Sequence, residues 1–217
     1  MQDLTVVTLL AQKTPEVWNE IFKEKLLEAV DGALIITVSY KPVNWGLNIL
    51  QVDYSILNVY VQMLRAFELA ETPYVAMADD DTLYPKEHFR YRPEKQPFAY
   101  NMTRWHLFSW GDPIYFYKPL PGNGLFIGDR LKSIKALKAR LASGHAEEYH
   151  ELGTRRSTVE MDGGSWERFY TTDPVVSFYH EGSIDKANQR RRKKMWPVRA
   201  YDLPVWGRVE DVRELWR

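Results

Sequence analysis

Tyr74-Val75-Ala76-Met77-Ala78-Asp79-Asp80-Asp81 runs five apolar residues straight into three consecutive carboxylates. A short apolar run bounded by a turn signal, here Thr72-Pro73, reads as a strand buried on both faces. In open α/β sheets, ligands bind beyond the carboxyl ends of the strands. Three carboxylates at such an edge repel one another, raise one another's pKa and call for a cation among them. Alternate residues of an extended segment point the same way, so Asp79 and Asp81 are expected to share one face and Asp80 to oppose them. Two hard oxygen ligands, a diphosphate and water suit Mg²⁺ or Mn²⁺. The competing reading is a solvated turn before the next short helix.

The chain before this strand repeats the same grammar. Leu4–Leu10 (LTVVTLL) and Ala33–Ser39 (ALIITVS) are buried strands. Between them, Thr14 and Pro15 start a helix whose apolar side is Trp18, Ile21, Phe22, Leu26 and Ala29, closed by Asp31-Gly32. Strand, helix and strand at this spacing imply a right-handed parallel βαβ unit. Tyr40–Asp53 reads as a loop. A long amphipathic helix then follows, capped by Ser55 and carrying Ile56, Val59, Tyr60, Met63, Leu64 and Phe67. Beyond the triplet, Pro97–Arg104 and Ile114–Lys118 read as strands, Pro121–Gly124 as a tight turn and Asp129 as the cap of a helix over Arg130–Ala142. Residues 144–164 read as a mobile loop. Val175–Tyr179 reads as a final strand that delivers His180 to the sheet edge holding the triplet. The expected fold is a single Rossmann-like α/β domain with a central, mostly parallel sheet flanked by helices and a mixed-strand second half.

Composition narrows the chemistry. Among 217 residues there is no cysteine, which removes disulfides, thiolate catalysis and Cys-ligated metal sites. The 29 basic and 29 acidic side chains balance, which excludes a uniformly basic nucleic-acid binder. The balance is local, however: Lys186–Arg199 holds seven basic residues and no acidic one, leaving −7 for the remainder. Arg190-Arg191-Arg192-Lys193-Lys194 reads as a solvated face, as a clamp over a donor diphosphate, or as a holder of a polyanion such as DNA, with Arg155-Arg156 extending the same footprint. No P-loop, dinucleotide fingerprint, G-x-S-x-G or H-E-x-x-H is present. No apolar run approaches the roughly 20 residues that span a bilayer. The chain reads as cytoplasmic and soluble, in the host cytoplasm if phage-encoded, with no membrane partner. Eight Trp and thirteen Tyr supply flat rings; Trp45, Trp105 and Trp110 are candidate walls for a sugar, against the alternative of core packing.

The order of elements and the stretch ADDDTLYPKEHF, with KPVNWGLNI before it and FAYNMTRW after it, resemble GT-A-fold glycosyltransferases of the family 2 type, and within them short phage-type members. The resemblance covers about Leu4–His180. It implies a GT-A-like glycosyltransferase domain over residues 1–183, with a nucleotide-sugar half (1–85) and an acceptor half (86–183), and a basic extension over 184–217. It also implies transfer of a sugar from a nucleotide-sugar donor, a UDP-sugar above all, to a hydroxyl acceptor with Mg²⁺ or Mn²⁺, by inversion. Asp79, Asp81 and His180 would hold the metal. Thr8, Ser39, Asp79, Asp80 and Arg190 would hold the donor. Asp162 in MDGGSWERF would be the base, with Glu160 in reserve because Met161 stands where that family has Glu; Trp166 and Arg168 would take the Leu and Arg places of the helix that follows the base. The acidic pair that reads uridine after the second strand is missing, with Tyr40-Lys41-Pro42 in its place. The phage-type resemblance and the basic run make a hydroxymethylated pyrimidine in DNA a candidate acceptor, beside a glycan or a small hydroxylated molecule. The competing classes are a metal-dependent phosphohydrolase, a non-enzymatic nucleic-acid-binding module and a nucleotidyltransferase, though no glycine-rich pyrophosphate loop follows the first strand.

Overall fold

The computed structural model of the chain describes residues 2–53, 56–143, 151–154, 165–181 and 197–217. Strands β1 (Leu4–Leu10), β2 (Leu34–Ser39), β3 (Leu47–Leu50) and β4 (Tyr74–Asp79) lie side by side and parallel, in the order β4-β1-β2-β3. β1 is central because its LTVVTLL run is apolar on both faces; Leu4, Val6 and Val7 are fully buried. Helix α1 (Glu16–Val30) crosses between β1 and β2 and buries Trp18, Phe22, Leu26, Ala29 and Val30. It begins one residue later than the sequence suggests. Pro15 is the cap residue, and the Thr14 hydroxyl donates to the Asn19 side chain at 2.5 Å. Asp31 ends it in the left-handed region.

The expected loop at Tyr40–Asp53 contains an edge strand. Its LNIL sequence lacks a clean alternation, and β3 keeps only Ile49 buried while Leu47 and Leu50 stay exposed. A seven-residue connection lets β3 return parallel to β2, and Gly46 makes this possible. It has a φ of +68°, and a Cβ there would stand 2.9 Å from the Ile35 carbonyl oxygen. Helix α2 (Ile56–Leu69) then leads into β4.

After β4 come β5 (Thr82–Leu83), α3 (Lys86–Arg90), β6 (Phe98–Asn101), β7 (Arg104–Phe108), β8 (Tyr115–Tyr117), a single 3-10 turn at Asn123–Leu125, β9 (Phe126–Asp129) and α4 (Arg130–Ala142). β10 (Trp166–Phe169), β11 (Val175–Tyr179), β12 (Arg199–Ala200), β13 (Asp202–Leu203), β14 (Gly207–Arg208) and α5 (Val209–Glu214) complete the described elements. Asp129 caps α4 as expected, accepting from the Lys132 N–H at 2.8 Å. β9 enters the main sheet antiparallel to both β4 and β6, and β10 pairs parallel with β6. Among the described residues the main sheet therefore has seven strands, β10-β6-β9-β4-β1-β2-β3. A second sheet, β12-β8-β7-β11-β5, was not foreseen in the sequence. The chain is a single α/β domain with a mixed sheet flanked by helices.

Two further expectations give way. Trp166–Phe169, where the resemblance implies the start of a helix, is a strand. Its carboxylate Glu167 accepts the Tyr91 hydroxyl at 2.5 Å and the backbone N–H groups of Glu94, Lys95 and Gln96 at 2.9–3.0 Å. Phe169 stacks on Tyr91 at 4.0 Å. These contacts hold the segment extended beside β6. Val175–Tyr179 is also not the last strand. Arg199–Ala200 pairs with β8, and Val209, Val212 and Trp216 are buried in the same core as β1.

Candidate active site at the end of β4

Topology brings the site together. β5 follows the triplet directly and pairs antiparallel with β11, Thr82 facing Ser177 and Leu83 facing Val176. Continuing that pairing, the Phe178 N–H donates to the Asp81 carbonyl at 2.8 Å, and the chain then delivers His180 beside the triplet. His180 Nε2 stands 3.6 Å from Asp81 Oδ2. The Thr82 hydroxyl donates to Asp81 Oδ1 at 2.9 Å and lies 3.0 Å from the Ser177 hydroxyl.

The three carboxylates take different partners. Asp79 Oδ2 accepts the Gly124 N–H at 3.2 Å, and the Asp79 N–H donates to the Tyr84 hydroxyl at 2.8 Å. Gly124 is required by proximity, because a Cβ there would lie 2.3 Å from Asp79 Oδ2. Asp80 turns the other way, as strand alternation predicts. Its Oδ2 accepts the Ala11 N–H at 3.0 Å, and its carbonyl accepts the Trp18 indole N–H at 2.7 Å. Burial, and then the Asp81 charge, push Asp79 up to about 7 against the opposing pull of Arg104. Burial, then Asp81 and Asp79, push Asp80 up to about 8. Burial and mutual repulsion thus favour the protonated form of Asp80 and, less strongly, that of Asp79.

Asp81 and His180 are the residues that could share a divalent ion. Two cis ligands at about 2.1 Å from Mg²⁺ stand about 3 Å apart, close to the 3.6 Å between Asp81 and His180. Among the described residues no three His, Cys, Asp or Glu side chains converge on one point. Such an ion would take its remaining ligands from phosphate oxygens and water, as Mg²⁺ commonly does.

A cavity of about 530 Å³ lies between the end of β1, α1 and the loop before β3, lined in part by Leu10, Gln12, Glu16, Glu20, Phe22 and Trp45. Leu10 and Gln12 flank Ala11, whose N–H is the one held by Asp80. Gln12 Oε1 accepts the Lys41 N–H at 2.8 Å and ties the two loops that form its walls. Trp45 meets Phe22 edge-on at 6.2 Å.

The remaining expected residues sit as follows. Thr8 and Ser39 are both fully buried. Among the described residues the Thr8 hydroxyl has no partner, whereas the Ser39 hydroxyl donates to the Lys41 carbonyl at 2.7 Å and accepts from Asn48 at 2.9 Å. Asp162, Glu160 and Arg190 lie outside the described residues, as do the five consecutive cations that include Arg190, and almost all of the expected 144–164 loop. Trp105 is partly buried against the core, 5.4 Å from Tyr117.

Sequence reading overlooked Arg104, Tyr84 and Trp216. Arg104 lies beside Asp79, its Nε donates to the Ser177 hydroxyl at 3.3 Å, and Gly122 leaves room for its guanidinium. The only signal for it was its place after the FAYN strand.

No protein-family model and no curated protein matches this sequence. Among solved structures, the inositol-1-phosphate CTP transferase from T. maritima aligns with TM-score 0.54 at 10% identity, over 89% of this chain and 96% of that one. The likeness is one of fold. The bifunctional IspDF from Campylobacter jejuni aligns at 13% identity and TM-score 0.49 over 79% of this chain, which spans 50% of that protein's length. A glycosyltransferase involved in the glycosylation of the major capsid of PBCV-1 aligns at 14% identity and TM-score 0.47, over 88% and 98% of the two chains. Among the described residues no helix is long and apolar enough to cross a membrane.

Proposed function

We propose that this chain is a glycosyltransferase that moves a sugar from a nucleoside-diphosphate donor to a hydroxyl acceptor, with Mg²⁺ or Mn²⁺ held by Asp81 and His180. The observation that carries the reading is the Asp81–His180 pair, 3.6 Å apart at the carboxyl end of β4. The nucleoside would take the cavity on the Asp80 side of the triplet, whose volume of about 530 Å³ falls within the range of small-ligand pockets and whose lining includes Glu16 and Glu20. When bound, the ion supplies Lewis-acid neutralisation of the departing diphosphate.

The chain's own residues would do the rest. Asp80 holds the Ala11 N–H and so sets the loop that walls the nucleoside cavity. Asp79 would add negative charge beside a bound ion, while Arg104 brings positive charge to the same edge. The acceptor hydroxyl loses its proton to Asp162, with Glu160 as the rival. A base acting on the face opposite the leaving diphosphate inverts the anomeric centre in one displacement. Arg190 and its neighbours would close over the diphosphate or hold a polyanionic acceptor. A hydroxymethylated pyrimidine in DNA is the acceptor the basic run supports; a glycan or small alcohol is the other. A UDP-sugar is the donor to try first.

The test is a thermal-shift screen of nucleoside diphosphates and nucleotide-sugars with and without Mn²⁺. A ligand of the native state alone raises stability by RT ln(1 + [L]/Kd). A donor that stabilises only with Mn²⁺, and is then hydrolysed or transferred, supports the reading. Stabilisation by a nucleoside triphosphate, with pyrophosphate released when a sugar phosphate is added, would replace it with nucleotidyl transfer.

A further inference from the structure

Three aromatic rings from distant parts of the chain stand behind the acidic triplet. Trp18 of α1 donates its indole N–H to the Asp80 carbonyl. Phe178 of β11 donates its backbone N–H to the Asp81 carbonyl. Trp216, just past α5, stacks on Phe178 at 4.7 Å and 19° and meets Trp18 at 4.9 Å. The same indole lies 4.9 Å from the His180 imidazole, tilted by 40°.

We infer that Trp216 is the positioning residue for His180: its indole fixes the imidazole opposite Asp81, so that cation affinity at this pair depends on the docking of α5. The inference rests on the reading of Asp81 and His180 as the cation site. His180 stands just past the last residue of β11, where the strand ladder no longer restrains its side chain. The ring is nonetheless 7% exposed, and Trp216 at 8% exposure is one of the surfaces that encloses it. A histidine held in one rotamer presents Nε2 to a cation without first losing rotational freedom, and fixing a side chain in advance removes that entropic cost from binding.

The α5 segment has other anchors. Val209 and Val212 are buried, the Trp206 indole N–H donates to the Pro174 carbonyl at 2.6 Å, and Arg213 donates to the Gly111 carbonyl at 2.5 Å. Changing Trp216 therefore leaves the segment means to stay docked.

The experiment uses the full chain with Trp216→Leu and Trp216→Phe. In metal-free protein the His180 imidazole Cε1–H resonance, assigned by its loss in His180→Gln, is expected upfield from the indole ring current. It should move downfield in Trp216→Leu and less so in Trp216→Phe. The resonance of His88, buried against Tyr84, Phe89 and Phe169, should stay in place. Titration with Mn²⁺ alone, read by electron paramagnetic resonance, should show up to about tenfold weaker binding in Trp216→Leu, the order of the rotamer freedom lost on binding, and near-native binding in Trp216→Phe. Unchanged His180 resonance or unchanged Mn²⁺ affinity in Trp216→Leu overturns the inference. Movement of the His88 signal together with His180 also overturns it, since that marks a general packing role. Should Trp216→Leu fail to fold, Trp216→Phe decides through the same two readouts: loss of both the shift and the affinity despite a retained aromatic ring refutes positioning by ring contact. Failure of the wild type to bind Mn²⁺ instead removes the cation site of the proposed function, while the metal-free resonance still reports whether Trp216 holds His180.

Discussion

The parallel half of the molecule, β1 to β4, and the second sheet built around β7 and β11 differ in how plainly the sequence marks them. In the parallel half the apolar runs that define the strands also bury them, although β4 pairs with β1 across about seventy residues, Leu4 facing Tyr74. In the second sheet, β11 lies between β7 and β5, more than seventy residues upstream, and its partners are chosen by long-range register. The acidic triplet is the joint between the two. Asp80 belongs to the first half through Ala11 and Trp18, and Asp81 to the second through Phe178 and His180. Donor-side geometry therefore depends on the first sheet and cation-side geometry on the second, and both rest on contacts between residues far apart in sequence.

Perturbations on either side of the joint should separate those two properties. The largest effect is expected at the proposed base. Asp162→Asn should cut sugar transfer by about 10²–10⁴-fold with donor and Mn²⁺ binding intact, while Glu160→Gln stays near wild type; paired transfer and calorimetry assays check both. Reversal of the two outcomes makes Glu160 the base.

Next in size, Asp81→Ala removes the cation-side carboxylate. Mn²⁺-dependent binding of a nucleoside diphosphate should weaken by about a hundredfold or more, in line with the loss of a principal ligand. The thermal midpoint should hold or rise, because the Asp81 charge adds to burial in pushing Asp79 and Asp80 up, and its removal relieves that part. Calorimetry and a melting curve together test it, and unaltered affinity removes Asp81 from the site.

Glu167→Gln asks whether the strand replacing the expected helix depends on its carboxylate. Glu167 accepts four hydrogen bonds, three of them from consecutive backbone N–H groups. An amide keeps one acceptor oxygen and loses the charge, so chemical denaturation should show a loss of about 1–3 kcal/mol.

The remaining effect is a change of slope with pH, not a loss at one condition. An unfolded Asp titrates near 3.9, whereas folded Asp80 titrates at about 8. The native state therefore holds a proton that the unfolded state has released, and in the absence of metal stability falls as pH rises from about 4 to about 8. Asp80→Asn keeps an oxygen for the Ala11 N–H and cannot ionise. It should flatten that slope and be more stable than wild type at pH 8, with little difference at pH 4, as denaturation series at the two pH values would show. An unchanged slope would place the proton elsewhere.

Much of the site was legible because its signals are local. YVAMADDD announces a buried strand ending in charge, and a buried strand in a parallel sheet ends at the ligand edge. His180 was legible for the same reason, as the residue after an apolar run. Arg104 and Trp216 were not, since an arginine inside a strand and a tryptophan after a short helix carry no local mark of what they will touch. The helix implied at Trp166 failed because Glu167 finds its four donors in the Tyr91–Gln96 segment, far along the chain.

By itself, then, the sequence determined the βαβ half, the place of the acidic triplet and the absence of thiol chemistry, because apolar periodicity and residue type act over a few residues. Tertiary structure alone decided which carboxylate meets His180, which instead braces the β1–α1 loop, and which aromatic ring backs the imidazole. Those outcomes depend on the pairing of β5 with β11 and the docking of α5, and both are settled by burial summed over residues that only the folded chain brings together.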